Sequence, residues 1–213
     1  MAEDLIWMSE EPDAEPLTTR SITMRCFDDG DQLEVLGRLT DSRDPSKVIA
    51  PGGVIHDMEL RMKVDPSTFL VTAAKATMRA HPHVDCSDIE PAFEQLVGLS
   101  VMRGYNKKVQ ELLGRSRGCS HLEFLARAMG PVVIQGVTTR MAGAPGEAAD
   151  PSEVRERVWL KDTCHMWSDD GPAPVKISLG WRPGTISPVP RVEWFAAQAA
   201  VAAQETETQG ADT

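Results

Sequence analysis

The chain has 213 residues, 41% hydrophobic and 25% charged, enough for one well-filled globular core and cramped for two. Its net charge of −10, with the basic residues scattered, argues against nucleic acid or an anionic membrane as the main partner, because both select clustered Lys and Arg. No apolar stretch approaches bilayer length. The acidic start (Glu3, Asp4, Glu10, Glu11) lacks the apolar core of a secretory signal, so the four cysteines, with no CxxC pair, are expected as reduced thiols in the cytoplasm.

Residues 1–17 carry Pro12, Pro16 and an acidic bias and read as a flexible arm. Ser21 to Phe27 and Gln32 to Thr40 are strand-like, and the Asp29-Gly30 break between them is a hairpin signal. A second hairpin is expected to pair Val54–Val64 with Phe69–Ala76 around Asp65 and Pro66. Its first strand alternates with period two: Val54, His56, Met58, Leu60, Met62 and Val64 share one face, and Asp57, Glu59, Arg61 and Lys63 the other.

Three helices follow. Ser87 and Glu90 read as a capping box opening the first, which ends at Gly98. The second runs from Asn106 to Leu113 and stops at Gly114; Arg103, Lys107, Lys108, Arg115 and Arg117 around it read as a solvated cluster. Ser120 and Glu123 form another capping box opening the third, which buries Leu122, Leu125, Ala126 and Met129 and is expected to kink or restart at Pro131. A long loop spans 142–152, then Val154–Leu160, Cys164–Trp167 and Val175–Leu179 read as short strands, and 196–213 as a disordered or frayed tail. The order of strands, helices and strands predicts a single α+β domain over 18–195 with an antiparallel sheet. No GxGxxG, Walker loop, GxSxG or HExxH is present.

Three short clusters set a histidine beside an acid or a thiol: His56 with Asp57, His121 with Cys119, and His165 with Cys164. An imidazole on the apolar face of the Val54–Val64 strand must find a hydrogen-bond partner or lose about 1–3 kcal/mol, and a core histidine bonded to a backbone carbonyl satisfies that as well as a catalytic one. His121 falls in the first turn of the third helix, where the macrodipole lowers its pKa and favours a thiolate at Cys119; a surface position is the competing account. Trp167 would share a face with His165, and His81 and His83 flank Pro82 in a loop. Tyr105 is the one tyrosine, with a packing role expected for its ring. The Cys and His clusters contain enough donors for zinc, yet no pair has the spacing of a dedicated site.

With Asp29-Gly30, His56-Asp57-Met58, Cys86, Leu96-Val97-Gly98 and Gly118-Cys119-Ser120-His121-Leu122 in this order, the chain resembles over roughly residues 20–170 a bacterial family catalogued as a domain of unknown function. The resemblance implies one α+β domain and cofactor-independent lyase chemistry on lignin-derived aromatic dimers, including loss of formaldehyde from a hydroxymethyl group. The expectation is therefore an enzyme with no cofactor and no metal. His56, Asp57 and His121 would be catalytic, and Arg61, Tyr105, Cys119, His165 and Trp167 would bind a small aromatic substrate. Self-association stays open. A metal-dependent hydrolase and a non-catalytic receptor for a small aromatic ligand are the alternatives.

Overall fold

The computed structural model describes residues 13, 16–44, 46–102, 104–141 and 160–210. They belong to two compact units, Met1–Val137 and Thr138–Thr213, with the boundary inside the span 18–195 expected to hold the single domain. Most of the N-terminal arm, Arg103, the whole 142–152 loop and all but the last residue of the expected strand Val154–Leu160 lie outside the described residues.

The first unit is built on a four-stranded antiparallel meander, β1 (Thr18–Asp29), β2 (Gln32–Arg43), β3 (Val54–Val64) and β4 (Val71–Ala80), in that spatial order. The class is α+β, as the sequence predicts. Gly30 turns the first hairpin at φ 75°, a conformation that glycine adopts without steric cost. Leu33, Val35 and Leu39 of β2 and Met58, Leu60, Met62 and Val64 of β3 are all buried, so the two central strands put one alternating face into the core. The opposite face is laced by ion pairs, among them Arg61 with Glu34 and Lys63 with Asp29.

Along β4 the expected first helix is instead a run of 3-10 turns over Val84–Leu96. Pro91 lies inside it and cannot donate to the helical ladder, and Glu90 does not close a capping box; its Oε1 accepts the backbone N–H of Met78 at 2.6 Å. Phe93 and Leu96 of this run are fully buried.

Helix α1 (Tyr105–Leu113) buries Val109 and Leu113. Helix α2 (Ser120–Met141) buries Leu122, Leu125, Ala126, Met129, Val133 and Val137. It crosses the core face of the sheet at close range: a Cβ on Gly37 of β2 would sit 3.1 Å from Met129 Sδ, and one on Gly136 of the helix 2.3 Å from Cys26 Sγ of β1. Pro131 does not restart the helix: α2 runs through it as one element, with the Pro131 side chain exposed.

In the second unit the C-terminal strands of the sequence reading are absent among the described residues. His165–Trp167 is one 3-10 turn, and Val175 lies in helix α3 (Pro172–Ser178). Both segments are too short for periodicity to separate strand from helix. Helix α4 (Val192–Gly210) covers most of the predicted tail. Its start carries Phe195, buried against Trp194 edge-on at 4.9 Å between ring centroids, and residues 196–204 are exposed. Among the described residues no helix is long and apolar enough to cross a membrane.

Candidate functional site

One polar row interrupts the apolar face of the sheet. Strand pairing sets Arg20 of β1 opposite Asp41 of β2, and Asp41 opposite His56 of β3. Two residues further along every strand the same face is apolar, with Leu39 and Met58 fully buried. The register shifts just beyond this row, between Asp41 and Ser42, where Ser42 pairs with Val54 and skips Ile55. A bulge of this kind re-aims the adjoining side chains. Gly52 and Gly53, both at positive φ, lead into it.

Helix α2 brings the fourth member. Gly118 passes so close over the end of α1 that a Cβ there would lie 2.2 Å from the Leu113 carbonyl oxygen. This tight crossing delivers Cys119, whose carbonyl accepts the Glu123 N–H at 2.8 Å and so starts the helix. Cys119 therefore holds the cap position given to Ser120 in the sequence reading, and the Glu123 carboxylate turns to Arg127 at 2.8 Å. His121, in the first turn, reaches down to the polar row.

The resulting geometry is compact. Arg20 grips Asp41 with two bonds, Nε to Oδ1 at 2.6 Å and a terminal nitrogen to Oδ2 at 2.7 Å. His56 Nδ1 lies 3.0 Å and His121 Nε2 3.4 Å from the same Oδ2. The two imidazoles overlap with centroids 4.0 Å apart and planes tilted by 36°. Their side chains keep 17% and 19% of their accessible surface, so a small molecule can reach both.

Protonation follows from these contacts. The Arg20 hydrogen bonds hold the Asp41 carboxyl below its ordinary value, with the His56 bond adding to them and burial opposing. An ionised carboxylate only accepts, so His56, hydrogen-bonded to it through Nδ1, presents that nitrogen as N–H. That leaves His56 Nε2 as a basic nitrogen, while His121 lies beside the same carboxylate as a close charge neighbour. Burial lowers the pKa of His121, and the neighbouring His56 lowers it further. The direction is the one expected from the helix macrodipole, but its leading cause is burial. His121 Nδ1 faces Cys119 Sγ at 3.7 Å.

Of the residues singled out in the sequence, His56, His121 and Cys119 meet here. Asp57 does not join them. It sits on the opposite sheet face in a two-pronged pair with Arg38 at 2.6 and 2.7 Å, because neighbouring strand residues diverge and β3 does not bend enough to reverse them. Arg61 is on that face too, bound to Glu34. Tyr105 is buried, its hydroxyl 3.4 Å from Met62 Sδ and its ring against Gly130, and burial raises its pKa. It packs; it does not line the site. His165 and Trp167 belong to the second unit, the first exposed and the second half-buried. Asp41 and Arg20 are the members that sequence reasoning missed. The signal was present: the alternation Leu33, Val35, Gly37, Leu39 runs on to Asp41, one residue past the expected end of the strand.

Asp41, His56 and His121 offer a carboxylate oxygen and two imidazole nitrogens within 4.8 Å of one another, a donor set that a divalent cation can use. Against that fit, Arg20 occupies both oxygens of Asp41. A metal would have to share its single carboxylate with a guanidinium, whereas a proton on His56 satisfies the same oxygen without displacing anything.

The fold and site define an α+β protein with a four-stranded meander, one covering helix and an Asp–His–His cluster at the helix N-terminus. Residues 18–135 match the family described as Protein of unknown function (DUF2889), and the chain belongs to that family. The match spans all four strands and most of α2, so Arg20, Asp41, His56 and His121 all lie inside it. No curated protein and no solved structure matches the chain.

Proposed function

We propose that this protein is a cofactor-independent lyase that works by histidine acid–base chemistry on a phenolic aromatic compound. The observation that carries the reading is the convergence of His56 and His121 on one ionised, Arg20-held carboxylate. Two imidazoles beside one carboxylate, each partly exposed, are a base and an acid in waiting, and Asp41 stabilises whichever becomes imidazolium. The substrate class comes from the family resemblance set out above: a lignin-derived dimer bearing a hydroxymethyl group. In such a reaction His56 Nε2 takes the hydroxyl proton, the adjoining carbon–carbon bond breaks, formaldehyde leaves, and the electron pair passes into the conjugated phenol before a proton returns to carbon. Ile22 on β1 and Phe124 on α2 are exposed apolar side chains two and three residues from Arg20 and His121, suited to an aromatic ring.

The test is formaldehyde release from a panel of phenolic dimers with and without the hydroxymethyl group. Turnover confined to the hydroxymethyl compounds is expected. His56→Asn and His121→Gln should each lose about 10²–10⁴-fold, and the double variant should be scarcely worse than either single one. Full turnover in either single variant would end the assignment for that residue, and no release from any compound would end the lyase reading. A zinc-dependent hydrolase is the second reading, favoured by the three converging donors. Calorimetric uptake of one zinc per chain, abolished by Asp41→Ala, would bring it forward.

A further inference from the structure

His121 stands between two groups, its Nε2 beside the Asp41 carboxylate and its Nδ1 facing a thiol. Cys119, His121 and Asp41 thus form a chain of nucleophile, base and carboxylate, with Sγ to Nδ1 at 3.7 Å and Nε2 to Oδ2 at 3.4 Å. Arg20 locks the far end of the chain. The order of roles is that of a nucleophilic triad, with the two ring nitrogens exchanged relative to the common serine-protease arrangement.

The surroundings suit one kind of electrophile. Cys119 caps α2, and the first intrahelical bond is the one from Glu123 N–H to its carbonyl. The N–H groups of Ser120, His121 and Leu122 therefore precede the helical ladder, at the helix end where an oxygen that becomes negative as a carbonyl is attacked can be stabilised. Cys26, Cys86 and Cys164 have no histidine partner among the described contacts, and Cys164 is the exposed one.

We propose that Cys119 is a covalent nucleophile toward carbonyl carbon, with His121 as its base and Asp41 as the group that orients and stabilises the imidazolium. In the step with an ester, Nδ1 of His121 takes the thiol proton and the sulfur–carbon bond forms. The carbon–oxygen bond to the alcohol then breaks, and the proton leaves with the alcohol, giving a thioester at Cys119. This goes beyond the lyase reading and does not depend on it, since no phenolic dimer is involved.

The experiment uses the full chain and 4-nitrophenyl acetate. Release of 4-nitrophenolate is followed by absorbance, and the acetylated cysteines are located and timed by peptide mass spectrometry. Cys119 is expected to acetylate at least about tenfold faster than the more exposed Cys164, with a burst approaching one nitrophenolate per chain. Cys119→Ala should remove the burst, and His121→Gln or Asp41→Asn should bring Cys119 down to the rate of Cys164. Acetylation of Cys164 as fast as Cys119 in the unaltered protein, a reading that requires no variant to fold, would overturn the proposal. So would a burst that survives in Cys119→Ala.

Discussion

Replacing Asp41 by Asn tests the centre of the site, because it keeps the shape and removes the charge on which three side chains depend. Asp41 accepts two bonds from Arg20, one from His56 and a longer contact from His121. Its own side chain is 11% exposed and that of Arg20 46%, so the guanidinium regains water when the pair is lost. The cost therefore falls between that of an exposed pair, about 0.2–1 kcal/mol, and that of a broken buried pair, about 3–5 kcal/mol; about 1–3 kcal/mol is expected. The pH dependence is more discriminating. The folded-state pKa of Asp41 is depressed below the ordinary 3.8, so its contribution is fully present above that value and is lost as pH falls through the lower folded pKa. Denaturant unfolding of the two proteins should show a gap that closes in acid, as pH falls through the folded pKa of Asp41 and a protonated Asp comes to resemble Asn. Nitrogen-15 spectra of the histidine rings supply the second readout: His56 protonated at Nδ1 in the unaltered protein, with mixed tautomers in Asp41→Asn. Formaldehyde release, where the substrate panel yields it, should fall by about 10²–10⁴-fold. A stability gap that persists unchanged in acid, or His56 found with its proton on Nε2 at neutral pH, would refute the account of the site given above.

Asp57→Asn should cost about 1 kcal/mol through the loss of the Arg38 pair while leaving both histidine tautomers unchanged, since Asp57 lies on the other face; altered tautomers would mean that the faces communicate. Gly136→Ala should destabilise by about 1–3 kcal/mol because its Cβ would meet Cys26 Sγ at 2.3 Å, and the double variant with Cys26→Ala should recover part of that loss in denaturant unfolding. Deleting residues 197–213 should move the melting temperature by less than a few degrees, because Trp194 and Phe195 remain and residues 196–204 are exposed; a larger fall would show that the segment docks on the domain or on a partner chain.

The sequence by itself determined what depends on local periodicity and local chemistry. Alternation along Val54–Val64 placed His56 on the core face with Met58, Leu60 and Met62, Gly30 marked the first hairpin, and the stripe from Leu122 to Met129 marked the buried side of α2. Tertiary structure decided which of these elements meet. Arg20, Asp41 and His56 lie 21 and 15 positions apart in sequence and become neighbours only through the strand register. His121 joins them only because Gly118 lets the chain pass tightly over the end of α1. The same dependence explains the departures. Glu90 leaves its expected cap to serve the Met78 N–H of a neighbouring strand. Asp57, adjacent to His56 in sequence, is carried to the far face by the strand's two-residue repeat. Periodicity reports the face on which a side chain lies, but hydrogen-bond partners across strands and the docking of a helix are long-range pairings. No window of neighbouring residues encodes them, so the carboxylate at the centre of the site stayed hidden one residue beyond the end of a predicted strand.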